Sequence, residues 1–176
     1  MVKRQLRQQV RTRIAALTAE ARVAEEAAVV AALRRRLPSA GPVLLYAALP
    51  DELSVDALFD AVQLVLPRVV GDGEMALHAV SRPLRAGRWH IREPDPSDPV
   101  VAPEALAAAV IPGRAFDGDG YRLGRGGGFY DRMLLQTRAV RLGVGYACQR
   151  VEAVPREPHD VPVDVVITAA GEWHRG

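Results

Sequence analysis

Four short, largely apolar runs constrain this chain more than any other feature: VLLYAAL from Val43, ALAAAVIP from Ala105, VRLGVGYA from Val140 and VDVVITA from Val163. A strand that is apolar on both faces must be covered on both faces, the condition of a parallel sheet held between helices rather than of a hairpin facing water. Segments with helical spacing separate the runs. SVDALFDAVQLVL follows the first, with Ser54 as its cap and Val55, Leu58, Phe59 and Val62 on one face, and GFYDRMLLQTR follows the second. This alternation predicts an α/β fold, a three-layer α/β/α arrangement around a mostly parallel sheet.

Two helices are expected before the first strand. Leu6, Val10, Ile14 and Leu17 lie on one helical face, and Thr18 then offers an N-cap to a second helix through Val23, Ala27, Val30 and Leu33. Arg34, Arg35 and Arg36 fall in its last turn, where cations complement the helix dipole, and Pro38 follows. They read as a helix end rather than as a ligand site.

With 176 residues, 49% of them hydrophobic and 25% charged, the chain is long and apolar enough for one domain, taken as residues 1–176, and is not a disordered polymer. The proline-rich REPDPSDP reads as an irregular surface crossing, since too little chain lies on either side for two large cores. A formal net charge of only +2 gives no basic field, so a general nucleic-acid binder is not implied. The one cysteine, Cys148, excludes an intrachain disulfide and reads as a small apolar residue. The N-terminus never reaches the apolar core of a signal peptide, and no run of about 18 apolar residues occurs; a cytoplasmic protein without a membrane partner is expected.

The chemistry concentrates in RLGRGGGFYDR, Arg122 to Arg132. The dinucleotide pattern G-x-G-x-x-G would need glycine where Phe129 stands, and Gly-Lys-Ser/Thr occurs nowhere. The physical parts of an anion site are nevertheless present: an apolar strand ending at Ile111-Pro112, then a glycine-rich loop, then a helix beginning near Gly128 or Phe129. Glycines let backbone N–H groups point inward, and a helix N-terminus adds partial positive charge. The glycines alone suit a flexible turn equally well. Arg122 and Arg125 beside them, and Asp131 at the helix start, favour phosphate.

VIPGRAFDGDGYRLGRGGGFYDR, taken with REPHDVPVDVVIT downstream and LPDELSVDALFDA upstream, resembles the 5-formyltetrahydrofolate cyclo-ligase family, also called methenyltetrahydrofolate synthetase. The similarity extends over nearly the whole chain. It implies use of ATP as co-substrate and Mg2+ as cofactor to turn 5-formyltetrahydrofolate into 5,10-methenyltetrahydrofolate, through phosphorylation of the formyl oxygen and attack by N10. It also implies that Gly124, Gly126, Gly127 and Gly128 wrap the ATP phosphates with Arg122 and Arg125, and that Phe129, Tyr130 and Asp131 border the nucleotide. Lys3 and Arg7, four residues apart and so on one helical face, match the family's basic pair and would reach the nucleotide; without the resemblance they read as solvated cations.

Asp131 and Asp160 match acidic positions near magnesium, an ion suited to hard carboxylate oxygens; Asp131 alone would equally serve the helix N-terminus. Glu52 matches the acidic residue that meets folate near the formyl group, and with Arg125 and Tyr130 it is the implied catalytic set. Phe129 and Tyr130 match paired aromatics, usually two tyrosines, lining the folate side, so a hydroxyl is lost at Phe129. Trp89 lies where an aromatic residue often flanks folate, although a core tryptophan fits as well. His90 in place of glycine, Val55 in place of threonine and Ala169 in place of an acid are departures. His159 has no partner at metal-ligand spacing and reads as structural. A monomer acting on two small molecules is expected. The competing readings are a catalytically silent paralogue that retains the pocket, and a nucleic-acid binder using the arginine-rich first 36 residues, which interleaved Glu20, Glu25 and Glu26 weaken.

Overall fold

Leu6, Val10 and Ile14 recur at helical spacing, and α1 (Lys3–Ala15) buries all three. They belong to a computed structural model that describes residues 2–71, 74–87 and 91–175. Thr18 caps α2 (Ala19–Arg36), its side chain accepting from the Ala21 N–H at 3.1 Å. The buried stripe of α2 differs from the expected one. Val29, Ala32 and Leu33 face inward while Val23 is 65% exposed. The inward stripe begins with polar residues: Glu25 accepts from Ala147 N–H at 2.7 Å and Glu26 from Ser54 N–H at 3.3 Å. An apolar periodicity cannot reveal a stripe that starts on carboxylates. Of the three arginines in its last turn, Arg34 donates to the Ala57 carbonyl beyond the helix, Arg35 to the Ala31 carbonyl of its own helix, and Arg36 pairs with Glu172.

The chain continues through β1 (Pro42–Leu44), a 3₁₀ turn (Asp56–Ala61), β2 (Gln63–Gly71), β3 (Glu74–Ala79), β4 (Arg85–Ala86) and β5 (Arg92–Glu93). Then come a 3₁₀ turn (Pro103–Ala105), β6 (Ala108–Pro112), β7 (Ala115–Phe116), β8 (Arg122–Leu123) and α3 (Phe129–Leu134). After β9 (Val140–Val144) and a 3₁₀ turn (Ala147–Gln149), β10 (Val165–Thr168) and β11 (Gly171–His174) complete the chain. The helix expected after Ser54 is therefore a 3₁₀ turn followed by a strand. Leu66 joins the core beneath α1 and α2 while Val65 joins the opposite one. Sheet pairing on both sides of Val65, with β1 and β3, wins over helical spacing. Ser54 accepts from Asp56 N–H at 3.3 Å, a local turn rather than a helix cap.

Among the described residues, seven strands form the central sheet in the order β11-β10-β9-β6-β1-β2-β3. The pairings from β10 to β2 are parallel, and the two outer pairings are antiparallel. Alternate residues point to opposite layers. Val43, Val110, Leu142, Val144 and Ile167 pack with Leu6, Val10, Ile14 and Leu33, whereas Leu44, Val65, Ala109, Ile111 and Val166 pack with Met133 and Leu134 of α3. Each fully buried aliphatic side chain contributes about 1.5–3 kcal/mol. The predicted three-layer arrangement is present, with a thin layer on the α3 side.

The Phe-Asp step in AFDGDGY is structural. Asp117, 1% exposed, accepts from the N–H groups of Asp119 and Tyr121 with one oxygen and from Val154 N–H with the other. It fixes the turn that delivers Arg122 into β8. REPDPSDP is irregular as expected but anchored from within. Asp95 accepts from Ser97, and Asp98 from Ser81 and the Asp95 N–H.

Candidate functional site

β1 and β6 lie side by side and parallel, yet the chain leaves β1 toward β2 and leaves β6 toward β9. Such a switch point opens a crevice beyond the carboxyl ends of the two strands. A cleft of about 570 Å³ lies there, lined by residues after β1 (Tyr46, Leu49, Glu52), after β6 (Gly113, Arg114), from the glycine loop and from α1. Pro67, Val69 and Met75 of the β2–β3 pair form an apolar wall. Pro67 is tolerated within a strand because β1 pairs with β2 only as far as Val65, so the edge beyond is open.

The cleft brings together Lys3, Arg7, Glu52, Arg122, Gly124 to Gly128, Phe129, Tyr130, Asp131 and Asp160, residues up to 157 positions apart in sequence. Trp89 and the neighbouring His90 lie outside the described residues. Arg7 donates from Nε to the Gly124 carbonyl at 2.8 Å, tying α1 to the loop. Gly126 and Gly128 have φ of +109° and +65°, conformations that side chains resist. Gly128 is the N-cap of α3, so the loop runs directly into the helix start.

Arg122 is the least exposed cation of the group. Its guanidinium donates to the Val161 carbonyl at 2.6 Å and to Asp131 Oδ1 at 3.0 Å. Asp131 Oδ1 also accepts from Val161 N–H at 3.1 Å. Lys3 Nζ lies 2.9 Å from Glu157 Oε2 and 3.0 Å from Asp160 Oδ2, and that Asp160 oxygen also accepts from Glu157 N–H. Burial opposes the charge on both members, but the pairing outweighs it: Lys3 is pushed above its ordinary value and Asp160 below. Each aspartate thus anchors itself through one oxygen. Among the described residues Asp131 Oδ2 accepts no hydrogen bond, and neither does Asp160 Oδ1. Asp160 Oδ1 lies 3.9 Å from His159 Nε2, and the ligand atoms of Glu157, His159 and Asp160 all fall within 4.8 Å of one another, so the fold gives His159 the neighbours that its sequence spacing did not. Carboxylate oxygens of this kind suit a magnesium ion that keeps waters and phosphate oxygens as its other ligands. His159 is exposed on the rim, 3.5 Å from Glu157.

The loop carrying Glu52 is held at nearly every residue. Arg22 donates to the Pro50 carbonyl, Tyr46 Oη to Leu53 at 2.5 Å and Tyr146 Oη to Glu26 at 2.8 Å, while Glu26 accepts from Ser54. Glu52 Oε2 accepts from Leu49 N–H at 3.0 Å, and its Oε1 accepts from Arg125 Nε at 2.9 Å. Arg125 Nη2 reaches Asp51 Oδ1 at 2.5 Å, and Asp51 Oδ2 lies 2.5 Å from Arg114 Nη1. Burial raises the Asp51 pKa, but Arg114 and Arg125 outweigh it and keep the carboxyl below its ordinary value. Burial and then the charge of Glu52 push the Tyr130 phenol far up, so it stays protonated at neutral pH.

Sequence reasoning missed Asp51, Arg114, Glu157, Tyr46 and Tyr146. Asp51 and Arg114 lie within LPDELSVDALFDA and VIPGRAFDGDGYRLGRGGGFYDR, so adjacency to the candidate residues there was the available signal. Tyr46 and Tyr146 each lie within an apolar run, where a buried phenol must find a partner.

The model of the 5-formyltetrahydrofolate cyclo-ligase family matches residues 1–169. The 5-formyltetrahydrofolate cyclo-ligase of Escherichia coli (strain K12) is 42% identical over 90 residues, which cover 49% of this chain and 50% of that protein. The match thus spans about half the length of that relative. The Mus musculus 5-formyltetrahydrofolate cyclo-ligase is 26% identical over 195 residues, covering 94% of this chain and 92% of its own. The solution structure of Aquifex aeolicus 5,10-methenyltetrahydrofolate synthetase superposes with a TM-score of 0.84 at 34% identity, covering 99% of this chain and 93% of that one.

Proposed function

This chain belongs to the 5-formyltetrahydrofolate cyclo-ligase family, and from that premise we propose that it converts 5-formyltetrahydrofolate to 5,10-methenyltetrahydrofolate with ATP as co-substrate. The formyl oxygen takes the γ-phosphoryl group and ADP departs. N10 then attacks the formyl carbon and loses its proton, the carbon–oxygen bond breaks, and phosphate leaves. One observation supports this reading above the others: the glycine loop and the folate-side Glu52 share one cleft and are joined through Arg125.

On this reading the loop N–H groups, Lys3 and Arg7 hold the triphosphate, and catalysis is mostly placement and charge stabilisation. Arg125 Nη1 has no hydrogen-bond partner among the described residues and is available to a phosphoryl oxygen beside Glu52. Glu52, with one oxygen on Leu49 N–H and the other on Arg125, orients the folate near its formyl group. Tyr130, kept as a phenol, offers a proton donor but no charge, and Phe129 and the Pro67–Val69–Met75 wall exclude water. Asp131 and Asp160 would hold Mg2+, which when bound neutralises phosphate charge. The reading also takes residues 1–176 as one unit, a cytoplasmic monomer; among the described residues no helix is long and apolar enough to cross a membrane.

Measuring ADP formation from purified protein, ATP and magnesium with and without 5-formyltetrahydrofolate tests the proposal. ADP formation that depends on the folate supports it. ADP release indifferent to folate, or none while both ligands bind, contradicts it.

A further inference from the structure

Arg114 follows β6 and Asp51 follows β1, so the two residues face each other across the switch point, where the fold otherwise leaves a gap. The Arg114 side chain is 11% exposed, and its Nη1 meets Asp51 Oδ2 at 2.5 Å as a close ion pair without the alignment of a hydrogen bond. The other Asp51 oxygen takes Arg125 Nη2 at 2.5 Å, and Glu52 takes Arg125 Nε at 2.9 Å. The charges therefore alternate along a row: Arg114, Asp51, Arg125, Glu52. A guanidinium has five N–H donors in a fixed plane, and the two carboxylates occupy the Nε–Nη2 edge. Nη1 is left on the opposite side. A single carboxylate leaves a long arginine side chain free to swing about its contact; two on adjoining nitrogens remove that freedom.

We infer that Asp51, itself anchored by Arg114, is a positioning residue: it fixes the Arg125 guanidinium so that Nη1 points at the phosphoryl group being transferred. The inference rests on the cyclo-ligase reading. Asp51 touches neither ligand and acts only through Arg125.

The test is a double-mutant cycle read in turnover and in binding. Asp51→Ala should lower kcat about 10-fold or more, while KM for the folate and affinity for a non-hydrolysable ATP analogue stay within about 3-fold. In an Arg125→Ala background the same change should alter kcat by less than about 2-fold, because the group it acts through is gone. Asp51→Glu should restore part of the lost rate. Equal losses in the two backgrounds, or an unchanged kcat, would overturn the inference. Melting temperatures separate a positional loss from an unfolded variant.

Absence of turnover in the parent would count against the functional reading and not against the clamp, which a second measurement reads directly. The two Nη nitrogens of Arg125, assigned by their loss in Arg125→Lys, should give separate NMR signals in the parent. They should merge into one averaged signal in Asp51→Ala. Merged signals in the parent, or separate signals in both proteins, would contradict the clamp.

Discussion

One Asp131 oxygen pairs with Arg122 and the Val161 N–H, and on the proposed function the other would face magnesium. Asparagine keeps an acceptor for Arg122 but loses the charge. Asp131→Asn should cost about 1–2 kcal/mol in stability and lower turnover at saturating magnesium by about 10-fold or more, with folate affinity within about 2-fold. Calorimetric folate binding and turnover on one preparation check this, and equal turnover in variant and parent would refute the metal role. Tyr46→Phe removes the donor to the buried Leu53 carbonyl and should cost about 1–2 kcal/mol. Because that bond steadies the Glu52 loop, KM for the folate should also rise, an effect that melting and steady-state kinetics resolve. That Glu52, Arg125 and Asp131 could share one cleft was readable because all three fall in the segments that carry the family resemblance. Tyr146 was not, since its partner Glu26 lies 120 residues away and nothing local marks the pair.

In the glycine loop, each glycine carries a different constraint. Gly126 at φ +109° has a backbone conformation that L-residues rarely adopt, whereas Gly124 has no such angle and open space where a Cβ would stand. Gly126→Ala should cost roughly 1–3 kcal/mol and reduce ATP use. Gly124→Ala should leave the melting temperature nearly unchanged, and thermal melts with ATP titrations separate the two. The parallel strands were readable because burial on both faces makes them apolar throughout. The edge strands β3 and β11, with exposed Glu74 and Glu172, gave no such signal. The helix misplaced after Ser54 shows the limit of periodicity: Leu58, Phe59 and Val62 fit a helix, but sheet pairing on both sides of Val65 decides the outcome. On α2 the inward stripe was hidden because it begins with Glu25 and Glu26, which take backbone N–H groups.

Across the molecule, the sheet order places every described candidate residue at one crevice, and the N-terminal helix closes one side of it through Lys3. That closure depends on pH in a calculable direction. The Asp160 pKa is depressed, so its contribution is present at neutral pH and is lost as pH falls through the folded value. The Lys3 pKa is raised, so its contribution is present at neutral pH and is lost as pH rises through the folded value. Lys3→Met should therefore lower the melting temperature at neutral pH, with the difference from the parent shrinking at both the acidic and the alkaline ends. A constant difference across pH would show that the tether contributes no charge pairing. The sheet was readable from the sequence because it repeats one pattern; the tether was not, because Lys3 and Asp160 meet only after the fold has closed.

The central claim is that this cleft performs the cyclisation. The most direct measurement is the near-ultraviolet absorbance of the methenyl product after mixing the protein with 5-formyltetrahydrofolate, ATP and magnesium. A rise that requires all three is the predicted result. No rise, with folate and ATP each shown to bind, would contradict the claim and leave a pocket without the chemistry.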